Sequence, residues 1–238
     1  YSSMGGLPAQ YVDLAYRDKI AGSYPFHPEL VTVLYERWGA KPGFQLTRST
    51  LRFLALVRQA LWERRQGVTT DLIQMGHVSL SESNIRAMAR EVAGDPQWET
   101  VIGSDIAAPA AGKQKAKAEL IDEKRGDGQD LARQLATTLL LYSVGAGENP
   151  EAARHEIRLA CAHPDVEDST WDNLLGSLRR SLFYLYTDSD EAHYQFRKEP
   201  NVTSLQNTYR LNLKDTEVEA YIDKQMRDHG LFQAICRG

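Results

Sequence analysis

SYPFHPELVTVLYERWGAKPGFQLTRSTLRFLALVRQALW, residues 23–62, decides how this chain is read. Tyr24 and His27 each precede a proline, and such residues avoid the α region, so the entry is extended. Pro28 suits a first helical turn, where its missing N–H is not needed. From Glu29 onward, Leu30, Val31, Leu34, Tyr35 and Trp38 recur at steps of three and four, which predicts an amphipathic helix closed by Gly39. Lys41-Pro42-Gly43 predicts a turn. Thr47 is the expected N-cap of a second helix, with Leu51, Leu54, Ala55, Val57 and Leu61 facing inward and Gly67 as its stop. Arg48 and Arg52 lie one turn apart at its start and share a face. A guanidinium there can meet a phosphate bidentately, where the helix dipole already favours an anion. The plain alternative is that both arginines pair with carboxylates or lie on a solvated face.

Composition sets the bounds. The chain has 238 residues, 42% hydrophobic and 25% charged, enough to bury a core without disulfides or metals. A net charge of −4 gives no global field that would draw it to nucleic acid. Cys161 and Cys236 have no partner at zinc-finger spacing, so no metal site is expected; a buried thiol and a reducing, cytoplasmic setting are. No apolar run approaches the roughly 20 residues that span a bilayer. The Tyr-Ser-Ser-Met start and the apolar LFQAIC near the end suggest a piece of a longer protein.

Before the quoted stretch, residues 9–20 predict a short amphipathic helix with Tyr11, Leu14, Ala15 and Tyr16 near one face. After it, residues 71–78 predict an apolar connector or strand, and Ser81 caps a helix over 82–92. Residues 103–130 are rich in Ala, Gly and charge, with little to bury; they predict a linker or mobile excursion, with a partial helix over 113–124.

The second half has a recognisable order. LARQLATTLLLYS, residues 131–143, predicts a largely buried helix. Residues 150–160 predict another. Ser169-Thr-Trp-Asp172 has capping-box spacing and opens a third through Leu174, Leu175, Leu178 and Leu182. Two β-prone runs, 183–187 and 193–197, flank the hairpin turn Asp188-Ser189-Asp190-Glu191. Phe183, Tyr184, Tyr186, Tyr194 and Phe196 are expected to pack that hairpin on the helices. Three helices and a hairpin are the order of a winged helix. Thr216 with Glu219 predicts a last helix over 216–228.

Catalytic patterns are lacking. There is no G-x-x-x-x-G-K-[ST] loop, no apolar strand ending in Asp-Glu for magnesium and no G-x-S-x-G elbow, so the chain alone is expected not to hydrolyse ATP. His27 is read as a structural hydrogen-bonder, and His155 and His163 belong to no ligand set. If the third helix reads DNA, the basic residues are Arg179 and Arg180 near its C-terminus, with Arg197 and Lys198 at the hairpin base. Asp168, Asp172, Asp188, Asp190 and Glu191 would repel phosphate.

SYPFHPELVTVLYERW followed by GFQLTRSTLRFLA resembles a family of bacterial and archaeal AAA+-like ATPases, the domain of unknown function numbered 499, found near DNA methylases and helicases in phage-defence clusters. The family pattern is YPFHPEL, an aromatic-rich helix, then GFQRTRGxLRxLA. LARQLATTLLLYS through YLYTDSDEAHYQFRKEPNV is similar to the region after the family's lid. The resemblance covers most of residues 20–205. It implies that Arg48 matches the lid arginine that senses the nucleotide phosphate, and that the P-loop and the elements holding ATP and Mg lie upstream of Tyr1. Leu46 replaces the family's arginine and Ser49 its glycine, which removes one anion contact.

The expected fold is mainly α: a helical AAA+ lid over 1–102, a linker over 103–130, a winged-helix-like module with a short β-hairpin over 131–205, and a C-terminal helix over 206–238 leading to further domains. The expected function is the lid and winged-helix part of an AAA+-like ATPase linked to DNA or phage defence. Arg48 and Arg52 would face ATP held by the upstream P-loop domain; DNA or a second copy of the chain are further expected partners. The rival expectation is a non-enzymatic winged-helix module that binds DNA or scaffolds proteins.

Overall fold

LARQLATTLLLYS is apolar nearly all round, and a helix of that kind must be covered on every side. It is. The computed structural model describes residues 8–11, 13–40, 45–64, 71–110, 112, 114–144, 150–202, 205–206 and 221. Within it Leu131–Ser143 is buried at every position except Arg133 and Gln134, which are half-buried. The fold is mainly helical with a small antiparallel sheet. The helices are α1 (Leu14–Ser23), α2 (Pro28–Thr32), α3 (Leu46–Glu63), α4 (Ser83–Ala93), α5 (Trp98–Val101), α6 (Lys117–Arg125), α7 (Leu131–Ser143), α8 (Arg154–Cys161) and α9 (Asp168–Ser181). The strands are β1 (Ala152–Ala153), β2 (Leu185–Thr187) and β3 (His193–Phe196), in the order β1-β3-β2. α2 continues into a π-helical turn, Val33–Trp38, and α5 into another, Ile102–Ile106. One apolar cluster runs from Leu30 and Trp38 through α7 to Tyr194 and Phe196.

Both ends of α7 are closed by side chains from distant segments. A helix leaves its first N–H and last C=O groups without intrahelical partners. Here the Asp122 carboxylate accepts the N–H of Ala132 at 2.7 Å and of Arg133 at 2.9 Å. At the other end, Trp38 Nε1 donates to the Leu141 carbonyl at 3.2 Å and Arg37 Nη1 to the Tyr142 carbonyl at 3.0 Å. The Arg37 guanidinium also lies 4.7 Å over the Tyr142 ring. The quoted stretch is thereby tied to the helix at the centre of the core.

The helix from Pro28 forms and ends at Gly39, with Leu30, Leu34 and Trp38 buried as expected, but Val33 is buried while Val31 is half-buried and Tyr35 is exposed. The extended entry also holds, with ψ of 135° at Tyr24 and 138° at His27, and Phe26 bridges to Ile73. Residues 71–78 are not a strand beyond that bridge; Met75–His77 is a 3-10 turn. The hairpin forms, with Leu185 opposite Phe196 and Thr187 opposite Tyr194, and buries Tyr194 and Phe196.

Several local expectations are corrected. In α1 only Tyr16 is buried, while Leu14 is 74% exposed. The cap of α3 is Gln45, not Thr47, and the helix is rotated from the expected face. Phe53, Val57 and Ala60 are buried, while Leu51 and Ala55 are exposed. Phe53 decides this rotation, because its ring meets Trp38 edge-on at 5.0 Å between centroids. α4 starts at Ser83 with Glu82 at its cap, not Ser81. α8 starts only at Arg154, because Ala152 and Ala153 pair with β3. Ser169 does not cap α9, which begins a residue earlier; Asp172 instead binds Arg154 and Arg158.

Residues 103–130 depart from the expectation of a segment with little to bury. Asp105, Ile106, Ala107, Ala116, Ala118 and Asp122 are all buried, and α6 packs on α7. Small alanines permit that close packing. The turn at 41–43, the stop at Gly67, Cys236 and, but for Tyr221, the helix over 216–228 lie outside the described residues.

Candidate functional site

The first turn of α3 carries Arg48, and the next carries Arg52. Both are exposed, and neither has a hydrogen-bond or ion-pair partner among the described residues. From Gln45 to Trp62 the helix has no Asp or Glu, so its outer face is basic: Arg48, Arg52 and Arg58, with exposed Leu51 between them. Its inner face is fixed by Phe53 under Trp38 and by Val57. At its C-terminal end Arg64 donates to Ser79 Oγ and pairs with Glu82 at 2.7 Å. The helix is therefore held along its inner face and at its C-terminal end, while Arg48, Arg52 and Arg58 stand in solvent. This donor set fits one contact to a terminal phosphate. It does not fit magnesium: among the described residues no group of three or more His, Cys, Asp or Glu could hold a metal.

His27 has a structural place. It is buried at the N-cap of α2, where Nδ1 accepts the Glu29 N–H at 3.2 Å, and burial pushes it down to about 4. Glu29 beside it is buried and accepts the Tyr16 hydroxyl at 3.3 Å and the Tyr142 hydroxyl at 3.5 Å. Burial raises its pKa, and the nearby Glu156 adds to that.

The four basic residues around α9 and the hairpin divide into two kinds. Arg179 is paired with Glu191 at 2.9 Å, and Lys198 with Asp95 at 2.8 Å. Arg180 is exposed and, among the described residues, has only a long contact, 3.4 Å, to Ser177. Arg197 is exposed and stacks over Tyr186 at 4.6 Å. No single basic face results from the four, because two of the charges are already answered.

Three buried groups were not singled out by the sequence. Arg86 donates to the carbonyls of Leu80 at 3.2 Å and Ala107 at 2.7 Å, and pairs with Glu99. Asp105 accepts a backbone N–H 79 residues along the chain, and Asp122 one 10 residues along. Arg64, Arg133, Lys115 and Asp122 also line a cleft of about 710 Å³ beside α6, in which charges of both signs are mixed.

The family model described as DUF499 second domain matches residues 12–171, more than half of the chain. The chain belongs to the DUF499 second-domain family. The match takes in Arg48, the Trp38–Phe53 contact, α7 and the start of α9, and leaves the hairpin beyond it. No curated protein and no solved structure matches the chain. Among the described residues of this DUF499 second domain, no helix is long and apolar enough to cross a membrane.

Proposed function

We propose that this chain is the nucleotide-responsive helical lid and winged-helix-like part of an AAA+-like ATPase. The observation that carries the proposal is Arg48, exposed on the first turn of α3 with no partner among the described residues. A guanidinium exposed on the first turn of a helix can bind the terminal phosphate of a nucleotide supplied by another domain. In this reading ATP and Mg are held by an upstream P-loop domain of the same protein, and Arg52 adds a weaker contact. Movement of α3 toward the phosphate would be passed to α7 through the Trp38 and Arg37 bonds. A family described as a second domain fits such a division of labour. The setting we propose is cytoplasmic, in a DNA-linked or phage-defence complex that assembles several copies of the protein.

The element order from α7 to β3, with sheet order β1-β3-β2, supports reading residues 131–205 as winged-helix-like. That favours a second reading, a non-enzymatic module that binds DNA or scaffolds proteins. The Arg179–Glu191 and Lys198–Asp95 pairs favour a protein partner for it over a DNA duplex.

The test is ATP turnover with Mg. The protein carrying its P-loop domain is expected to hydrolyse ATP, and the 238-residue chain alone is not. Absence of both turnover and ATP binding in the longer protein would leave the non-enzymatic reading.

A further inference from the structure

A cavity of about 300 Å³ lies between the Met75–His77 turn and the starts of α7 and α9, away from α3. Its polar wall is made by His77, His163, Trp171, Gln134, Asp130 and Asp165. The histidines fix its chemistry. The backbone N–H of Gln74 donates to His77 Nδ1 at 3.0 Å, and that of Asp165 donates to His163 Nδ1 at 3.2 Å. A neutral imidazole whose Nδ1 accepts carries its proton on Nε2. Burial, with the neighbouring charges of His163 and Arg133, pushes His77 down to about 4, so it is neutral at pH 7. Trp171 is 4% exposed, and its indole N–H, a donor only, has no acceptor.

The wall is built rigidly. A Cβ at Gly76 would lie 2.7 Å from Gln134 Cβ, so glycine lets the His77 turn sit directly on α7. Gln74 Nε2 donates to the Ala162 carbonyl, next to His163, and so ties the two histidine segments together. A metal ion does not suit this arrangement. Binding at Nε2 would need its lone pair, and each Nδ1 would have to take the proton and give up its backbone N–H. The carboxylates limit the charge of any ligand. Asp130 is paired with Arg133, and the Asp165 side chain is 87% exposed.

We propose that this cavity binds a small monocarboxylate through the N–H donors of His77, His163 and Trp171. Three N–H donors suit the two oxygens of one carboxylate, whereas a doubly charged phosphate would be repelled more strongly by the Asp165 carboxylate. Cavities of roughly this size are the smallest that usually hold a ligand.

The experiment is an NMR titration of the ¹⁵N-labelled chain with sodium acetate, against sodium chloride at equal ionic strength, following the Trp171 indole N–H. Acetate is expected to move that signal downfield and saturably. His163→Ala weakens the acetate affinity at least about tenfold, the effect of losing one donor. His163→Gln, which keeps an N–H donor, retains most of it. No saturable shift, the same shift with chloride, or the same affinity in His163→Ala overturns the proposal. So does saturable binding of zinc chloride at His77 and His163 in preference to acetate.

Discussion

Asp105 accepts the backbone N–H of Tyr184 at 2.8 Å, across a sequence separation of 79 residues. The carboxylate is fully buried and clips the π-helical turn after α5 to the segment entering β2. Burial pushes its pKa up to about 6, opposed by the N–H groups of Tyr184 and Phe183 and by the Ser104 hydroxyl. A carboxyl raised in the folded state stabilises it most when protonated. Its contribution is therefore complete below the ordinary carboxyl value of 3.8 and lost as pH rises through about 6. The window corresponds to on the order of 3 kcal/mol. Asp105→Asn keeps an acceptor for Tyr184 but cannot ionise. The stability difference between wild type and Asp105→Asn, measured by urea unfolding, should shift in favour of the variant between pH 4 and pH 6.5. Parallel pH profiles for the two would contradict this origin.

α7 should be weakened from either end by removing one distant side chain. Asp122→Ala frees the N–H groups of Ala132 and Arg133. The expected loss is about 1–2 kcal/mol, the scale of a lost N-cap. Trp38→Phe keeps a ring against Phe53 but strands the Leu141 carbonyl, for about 1–3 kcal/mol. Denaturant midpoints with unchanged m-values would read both effects. A midpoint unchanged in either variant would mean that the bond adds nothing.

Arg86 is buried between α4 and the 102–106 turn, where it serves two carbonyls and Glu99. Arg86→Ala leaves both carbonyls unanswered and should cost about 2–5 kcal/mol, the scale of two stranded buried acceptors. Arg90→Ala, which removes only an exposed contact to Glu99 at 3.4 Å, should stay within about 0.5 kcal/mol. Thermal unfolding of the two variants side by side decides it; equal losses would deny Arg86 its bridging place.

The sequence carried what depends on local periodicity. α7 was plain because its apolar residues occupy every face, and the hairpin because two β-prone runs flank an Asp-Ser-Asp-Glu turn. The register of α3 was not plain: LRFLALV is apolar on more than one face, and only the meeting of Phe53 with Trp38 selects the buried one. Asp105, Asp122 and Arg86 left no local signal, since each serves a backbone group brought near by folding. β1 is two alanines, which hold no strand pattern, and forms because β3 offers them a partner. At the candidate site Arg48 was found from its place on a helix. Its exposure and its lack of a partner among the described residues came only from the packing.

If residues 131–205 bind duplex DNA, the exposed cations should carry that binding. Arg180→Ala and Arg197→Ala should then each lower the affinity and flatten its salt dependence by about one counterion. Arg179→Ala and Lys198→Ala would act less, because each starts from an ion pair with Glu191 or Asp95. Fluorescence anisotropy with a labelled duplex over a salt series measures all four. No binding at low salt would leave a protein partner as the occupant of this module.

Arg48 makes the sharpest separation between a structural and a functional residue. Exposed and without a partner among the described residues, it should be replaceable by alanine with a change of at most about 0.5 kcal/mol in stability. The deciding measurement is kcat for ATP in a protein that joins this chain to the proposed P-loop domain, for wild type, Arg48→Ala and Arg52→Ala. A loss of at least about tenfold is expected for Arg48→Ala, with unchanged unfolding, and a smaller loss for Arg52→Ala. Turnover and nucleotide affinity both unchanged in Arg48→Ala would contradict it.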